Sequence, residues 1–273
     1  MPPGWYPRNP GEISHFLSGF DRGAARAAIA PHAGWFYSGQ TAAKAVSSLE
    51  PATETVVVIG GHLPSGVSPL CALEDAVQTP LGPVPIDAEL RDILMEELDM
   101  REDRYRDNTV EVLLPMARFF FPNARIVWMR FPADTDSFDA GKTIARCAGT
   151  LGRSAAVLAS ADLTHYGVNY GFSPKGSGPA ALQWVTEVND RRFIEAVQKG
   201  DPEMVIQRAD LERSCCSAGS VVAALGFAQE LGASPARLAE YATSAAQADE
   251  CPDSFVGYAA LVFDPAGVGM KIK

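Results

Sequence analysis

No apolar run in the 273 residues approaches the ~20 that cross a bilayer, so a membrane-spanning helix is not expected. The opening Met1-Pro2-Pro3-Gly4-Trp5-Tyr6-Pro7 lacks a charged segment followed by an apolar one, and does not read as a secretory signal. A net charge of −10, with no Lys/Arg run or basic stripe, argues against a phosphate-backbone partner. Five cysteines, an odd count without framework spacing, suit a reducing compartment. The expectation is a cytoplasmic protein with neither nucleic acid nor membrane as partner. Internal repeats, low-complexity tracts and linkers are also missing. One domain over residues 1–273 is therefore expected, with 1–25 as an irregular segment packed on it.

What is present centres on Ala30-Pro31-His32-Ala33-Gly34-Trp35-Phe36-Tyr37-Ser38-Gly39. An apolar run, Ala27 to Ala30, precedes it and a helical pattern opens near Ser38, so the stretch reads as strand, irregular loop, helix. Pro31 cannot donate to a sheet ladder and ends the strand. One imidazole and three aromatic rings in one loop point to a site rather than a connection. Thr55 to Ile59 (TVVVI) is a β-branched run, as in a strand buried on both faces of a parallel sheet, and His62 follows it. Residues 68–86 read as a small hairpin excursion. Asp87 caps a helix through Leu98, and Thr109 to Phe121 forms another that carries Glu111. Further strands are expected at 124–130, 155–161, 238–245 and 254–263. Helices at 137–151, 180–199, 202–210 and 217–231 separate them, an alternation that predicts an α/β fold.

His32, His62 and His165 each fall just past a predicted strand. In an open α/β sheet, ligands bind beyond the carboxyl ends of parallel strands. If those strands are parallel, three imidazoles meet at one rim, with Asp162, Asp249 and Asp253 nearby. Cys251 joins them if the strand at 238–245 runs the same way. Imidazoles with a thiolate suit zinc, iron or copper, and two histidines with one anionic ligand leave open positions. Singly, each residue has a plainer reading: a strand-end histidine is usually a hydrogen-bonded loop residue, and Cys215-Cys216 reads as two buried small residues. Gly60-Gly61 reads as a turn, because the other glycines of a nucleotide fingerprint are absent. His15 has no strand-end context and is taken as structural.

With these residues in hand, the chain resembles the Memo family, also called AmmeMemoRadiSam system protein B. The matching features are Gly4-Trp5-Tyr6-Pro7, Ala30-Pro31-His32-Ala33-Gly34 with Tyr37-Ser38-Gly39, and Gly60-Gly61-His62. Glu111 with Leu114-Pro115, Ser160-Ala161-Asp162 with His165-Tyr166-Gly167, and Cys251 with Asp253-Ser254 complete the series. That family is similar in fold to the class III extradiol dioxygenases (LigB-like). The resemblance implies a single-domain three-layer sandwich around a mixed, largely parallel central sheet. It also implies a metal on His32, His62 and Cys251, the cysteine standing where the dioxygenases have a carboxylate. His165, with Asp162 beside it, would match the acid/base histidine. The chain departs from the family at Gly60-Gly61, at Asp107-Asn108-Thr109 in place of Glu-His-Ser, and around Cys216, where Cys-Gly-Arg is missing.

The resulting expectation is an oxidoreductase holding Fe(II), with copper or zinc as alternatives, that acts on a small aromatic or phenolic substrate. Trp5, Tyr6, Trp35, Phe36, Tyr37, Glu111 and Cys216 would line the pocket. A second expectation is a non-catalytic metal- or peptide-binding adaptor using the same crevice. A zinc hydrolase is a third, and a homo-oligomer is compatible with all three.

Overall fold

The computed structural model describes residues 4–105 and 107–267. Helix α1 (Pro10–Leu17) opens where the Asn9 side chain accepts from the Gly11 and Glu12 N–H groups, and it buries Ile13 and Leu17. Strand β1 (Ala27–Ala30) is followed by α2 (Trp35–Ser47). That helix starts at Trp35 rather than near Ser38. The Trp35 N–H donates to the Trp5 carbonyl at 2.8 Å, and Ser38 Oγ turns back onto the Ala33 carbonyl at 3.0 Å. Strand β2 (Thr55–Leu63) continues through the glycine pair that reads as a turn in the sequence. Then come β3 (Leu70–Cys71) and the hairpin of β4 (Ala76–Thr79) with β5 (Gly82–Pro85).

Asp87 caps α3 (Ala88–Glu97), as its sequence context implies, and β6 (Arg101–Glu102) follows. The helix expected over 109–121 is two helices, α4 (Asn108–Glu111) and α5 (Leu114–Phe120). Pro115 explains the break: it has no N–H to continue the first helix but suits the first turn of the second. Strand β7 (Arg125–Pro132), helix α6 (Ser137–Thr150), strand β8 (Ala155–Ser160) and the short β9 (His165–Gly167) come next. The run expected over 180–199 is α7 (Pro179–Trp184), a π-turn at Val185–Asn189, and α8 (Asp190–Lys199). Helices α9 (Pro202–Glu212) and α10 (Ala218–Glu230) lead to β10 (Arg237–Thr243) and β11 (Ser254–Phe263).

The central sheet has the order β10-β11-β1-β8-β2-β7-β3-β6, with β9 pairing off β11. Strands β1, β8, β2 and β7 are mutually parallel, while β11 is antiparallel to β1, and β10 to β11. Alternate strand residues feed two cores. Val57, Ile59, Val127 and Met129 face α3, α6, α8 and α10. Val56, Val58, Ile126 and Leu158 face α1, α2 and α5. Burial on both faces is why these strands read as unbroken apolar runs. The molecule is thus a three-layer α/β sandwich around a mixed, largely parallel sheet. Among the described residues no helix is long and apolar enough to cross a membrane.

This topology fixes one functional rim. The carboxyl ends of β1, β2 and β8 lie side by side, so His32, His62 and Asp162 emerge together. Because β10 runs parallel to β1 and β11 returns, the loop from Ser244 to Ser254 falls on the same rim.

Candidate metal centre

His32 follows Pro31 at the end of β1 and is buried. Its backbone N–H donates to Asp162 Oδ1 at 2.7 Å, tying the end of β1 to the loop after β8. Its ring is held on one side, Nδ1 to Ser160 Oγ at 2.8 Å, so that Nε2 faces Cys216 Sγ at 3.4 Å. Burial lowers its pKa to about 3, with the neighbouring His62 adding to the effect. His32 is therefore a neutral imidazole at ordinary pH, the form that ligates metals.

His62 sits on an irregularity: the β2–β7 register shifts between Gly60 and Leu63, and His62 has φ 59°. A non-glycine residue in this left-handed region is strained and concentrates at functional positions. The glycine pair makes the position accessible. A Cβ on Gly60 would lie 2.1 Å from Thr109 Oγ1, and one on Gly61 2.4 Å from Ser217 Cβ. Helix α4 and the turn before α10 thus close on the strand just before His62, and only bare backbone fits between them. The ring lies 5.1 Å from that of His32, edge on. Its Nδ1 meets Asp107 Oδ2 at 3.3 Å. Burial works to raise the Asp107 pKa, but hydrogen bonds from His62 and Thr109 hold the carboxyl well below the usual range. An ionised carboxylate only accepts, so Nδ1 of His62 is the donor in this contact, which leaves Nε2 as the nitrogen a metal would take. Carboxylate–histidine pairs of this kind orient metal ligands. Arg130 steadies Asp107 from behind at 3.4 Å and clamps Asp103 at 2.7 and 2.9 Å.

The third donor is Cys216, in the turn between α9 and α10. Its N–H donates to the Asp162 carbonyl at 3.2 Å. One ligand atom each from His32, His62 and Cys216 lies within 4.8 Å of the others. The sequence places Cys216 in the pocket wall and Cys251 on the metal; the structure brings Cys216, not Cys251, into this group. Cys251 does lie on the rim, in the loop before β11. Its thiol is directed at the Pro252 carbonyl, 3.9 Å away, and Pro252 rather than Cys251 lines the cavity.

The donor set fits a metal dication. Burial, reinforced by Asp162, pushes the Cys216 thiol well above its ordinary pKa. A thiol so placed would gain a positive partner from a bound metal, which would favour its thiolate form as a ligand. Two imidazoles and one sulfur suit zinc, copper or iron.

His165 opens β9 and is half-buried. Its Nδ1 lies 3.1 Å from the Leu163 carbonyl, which can only accept, so Nδ1 is protonated and Nε2 holds the lone pair. Burial lowers its pKa and raises that of Asp162 nearby. The ring stacks edge-on against Tyr170 at 5.0 Å. A cavity of about 740 Å³ covers this group, lined by His32, His62, Asp162 and His165 and walled by Trp5, Phe36, Tyr37 and Tyr170. Tyr6, Trp35 and Glu111 stand behind that wall. Tyr6 donates to Glu111 at 3.3 Å, and the buried Trp35 donates its indole N–H to the Val112 carbonyl at 3.0 Å. Cys216 borders a second, smaller cavity of about 450 Å³, on which His165 and Tyr170 also open. Asp107, Ser160, Tyr170 and Tyr258 are site residues to which the sequence analysis assigns no role. Asp107, next to the departure at Asn108, and Ser160, within the Ser160-Ala161-Asp162 feature, carry a signal that could have found them.

The family model described as Memo-like protein matches residues 4–262, and this chain belongs to the Memo family. Its relatives include a MEMO1 family protein of Methanothermobacter thermautotrophicus, 35% identical over 85% of this chain and 82% of the relative. A MEMO1 family protein of Pyrococcus abyssi is 30% identical over 86% of each. The crystal structure of an uncharacterized Escherichia coli K12 protein matches with a TM-score of 0.51 at 14% identity, over 87% of this chain and 99% of that one. That likeness concerns the fold alone.

Proposed function

We propose that this chain is a metal-dependent oxidoreductase of the Memo family that holds Fe(II) on His32, His62 and Cys216 and acts on a small aromatic or phenolic substrate. One observation carries the proposal: two imidazoles and a thiol on separate elements approach within 4.8 Å at the strand-end rim, beside a cavity with aromatic walls. Copper and zinc are the other ions this donor set accepts. When bound, a redox-active ion would supply electron transfer and Lewis acidity. The protein does the rest. Trp5, Phe36 and Tyr37 provide faces for an aromatic ring, and the cavity shelters it from bulk water. His165 takes the phenolic proton on Nε2, since burial keeps it neutral and Leu163 holds its other nitrogen. Asp162 fixes the backbone of His32 and so keeps the acid/base residue in register with the metal ligands.

The test is metal analysis of protein purified without air, followed by oxygen uptake with a panel of catechols. Iron near one equivalent and turnover that falls at least a hundredfold in His165→Ala are expected. Turnover independent of His165 would overturn the catalytic assignment. A second reading, a non-catalytic metal or peptide carrier, draws support from the sulfur itself, because a ligating thiolate beside oxygen is liable to oxidation. Under that reading Cys216→Ala abolishes metal binding, while no substrate gives His165-dependent oxygen uptake.

A further inference from the structure

The two loops that carry site groups, 161–165 and 212–216, belong to distant parts of the chain and share no secondary structure. Between them lie two consecutive buried residues, Asn189 and Asp190, at the junction of the π-turn and α8. The side-chain hydrogen bonds of both go to groups other than His32, His62 and Cys216. A π-turn shifts the helical phase and is frequent near functional sites; here the residues at its end face inward together.

Each side chain makes a different attachment. Asn189 Nδ2 donates to Thr164 Oγ1 at 2.9 Å and to the Glu212 carbonyl at 3.0 Å, so one amide group links both loops. Asp190 Oδ1 accepts the Thr164 N–H at 3.1 Å and also the Thr164 hydroxyl. Its Oδ2 accepts the Tyr241 hydroxyl of β10 at 2.7 Å. Thr164 Oγ1 therefore accepts from Asn189 and donates to Asp190, which fixes its polarity. The Thr164 backbone is held from the opposite side by β11, its carbonyl accepting the Gly257 N–H at 3.0 Å. A Cβ on Gly257 would lie 1.9 Å from Asp190 Oδ2, so the strand is bare where the carboxylate arrives.

The consequences reach the site through short covalent paths. Thr164 sits between Asp162 and His165, and Leu163, on its other side, supplies the carbonyl that sets the His165 tautomer. Glu212 ends α9, and the chain then turns through the strained Arg213 (φ 49°) to Cys216. The far end of that turn is tied back by the Cys216 N–H on the Asp162 carbonyl. Burial raises the Asp190 pKa to about 7, outweighing the lowering by its hydrogen bonds from Thr164 and Tyr241.

We propose that Asn189 and Asp190 are positioning residues that hold the Cys216 loop and the His165 loop at a set separation, so that ligand and acid/base geometry are coupled through Thr164. The proposal rests on the reading of His32, His62 and Cys216 as a metal site, and it adds what keeps the cysteine within reach. The full chain is compared as wild type, Asn189→Ala, Asp190→Asn, Thr164→Val and Thr164→Ser.

Cobalt(II) is titrated into each, following the thiolate-to-cobalt absorption band. In metal-free protein, the His165 ring is titrated by NMR and the alkylation rate of Cys216 is followed by mass spectrometry. Asn189→Ala and Thr164→Val are expected to weaken cobalt binding about tenfold or more, to shift the His165 titration and to speed Cys216 alkylation. Thr164→Ser, which keeps the hydroxyl, should behave as wild type. Circular dichroism and thermal melts establish that each variant is folded. Asp190→Asn, which preserves shape, covers the case in which the larger truncations unfold. Folded variants with wild-type cobalt affinity, His165 titration and alkylation rate would overturn the proposal. If the wild type takes up no cobalt, the metal reading fails, and the two metal-free measurements still decide the coupling.

Discussion

The two rims of the sheet both bury aspartates, and they treat them in opposite ways. At the amino ends of the strands, Asp87 accepts from Thr55 Oγ1 at 2.6 Å and from Arg153 Nε at 3.1 Å, with Arg125 at 3.9 Å. Although burial opposes it, these partners hold its pKa below the ordinary value. At the carboxyl ends, burial wins for Asp162 and Asp190, whose pKa values are raised, while Asp107 is held low against its burial by its hydrogen bonds to His62 and Thr109. Arg130 reaches this rim but is engaged by Asp103 and Asp107. One rim is neutralised by the protein's own cations and serves stability. The other gathers three imidazoles, a protonated thiol and buried carboxyls, an arrangement a bound cation would complete.

Breaking the functional rim should give the largest effect. Cys216→Ala and His62→Ala should each reduce bound metal from about one equivalent to near none, as read by elemental analysis, whereas Cys251→Ala should leave it unchanged. If Cys251→Ala alone empties the protein, Cys216 is not the ligand.

The second effect concerns acid. The Asp190 pKa rises from 3.8 unfolded to about 7 folded. Between those values the unfolded chain releases a proton that the folded chain keeps, so this group's contribution to stability falls as pH rises. At ~1.4 kcal/mol per unit this amounts to about 4 kcal/mol. Denaturant unfolding of wild type and Asp190→Asn at pH 4 and pH 7 isolates it, because the variant should lose that slope. Asp87 has the opposite sign: its lowered pKa contributes stability above about pH 4 that disappears on further acidification. Asp87→Ala, which removes a helix cap and leaves Arg153 without this partner, should cost about 2–4 kcal/mol at pH 7. Metal content should not change, which separates the two rims.

The smallest effect sharpens the comparison within the functional rim. Asp107→Asn should lower metal affinity about 10- to 100-fold while barely moving the melting temperature. Calorimetric titration with zinc measures it, and unchanged affinity would remove Asp107 from the site.

Much of this is legible in the sequence. The β-branched run at Thr55–Ile59 and the apolar runs at Ala27 and Ala155 announce parallel strands. Histidines just beyond such strands must share a rim, because parallel strands end together. The cysteine was harder. Cys251 follows from hairpin topology, and the hairpin does bring its loop to the rim, but a residue's direction within an irregular loop has no period to read. Cys216 lies between two helices, and only the packing of α10 across the sheet carries its start to the strand ends. The π-turn was hidden for a related reason: residues 180–199 keep an overall helical pattern, and one widened turn changes which residues face inward without changing composition.

The glycine pair before His62 has one more consequence. With Thr109 pressed on one side of the backbone and Ser217 on the other, the end of β2 behaves as a pin seated in a sleeve. A backbone so confined would have little room to shift toward a larger guest. If the proposed metal is held here, the centre would therefore favour ions by size.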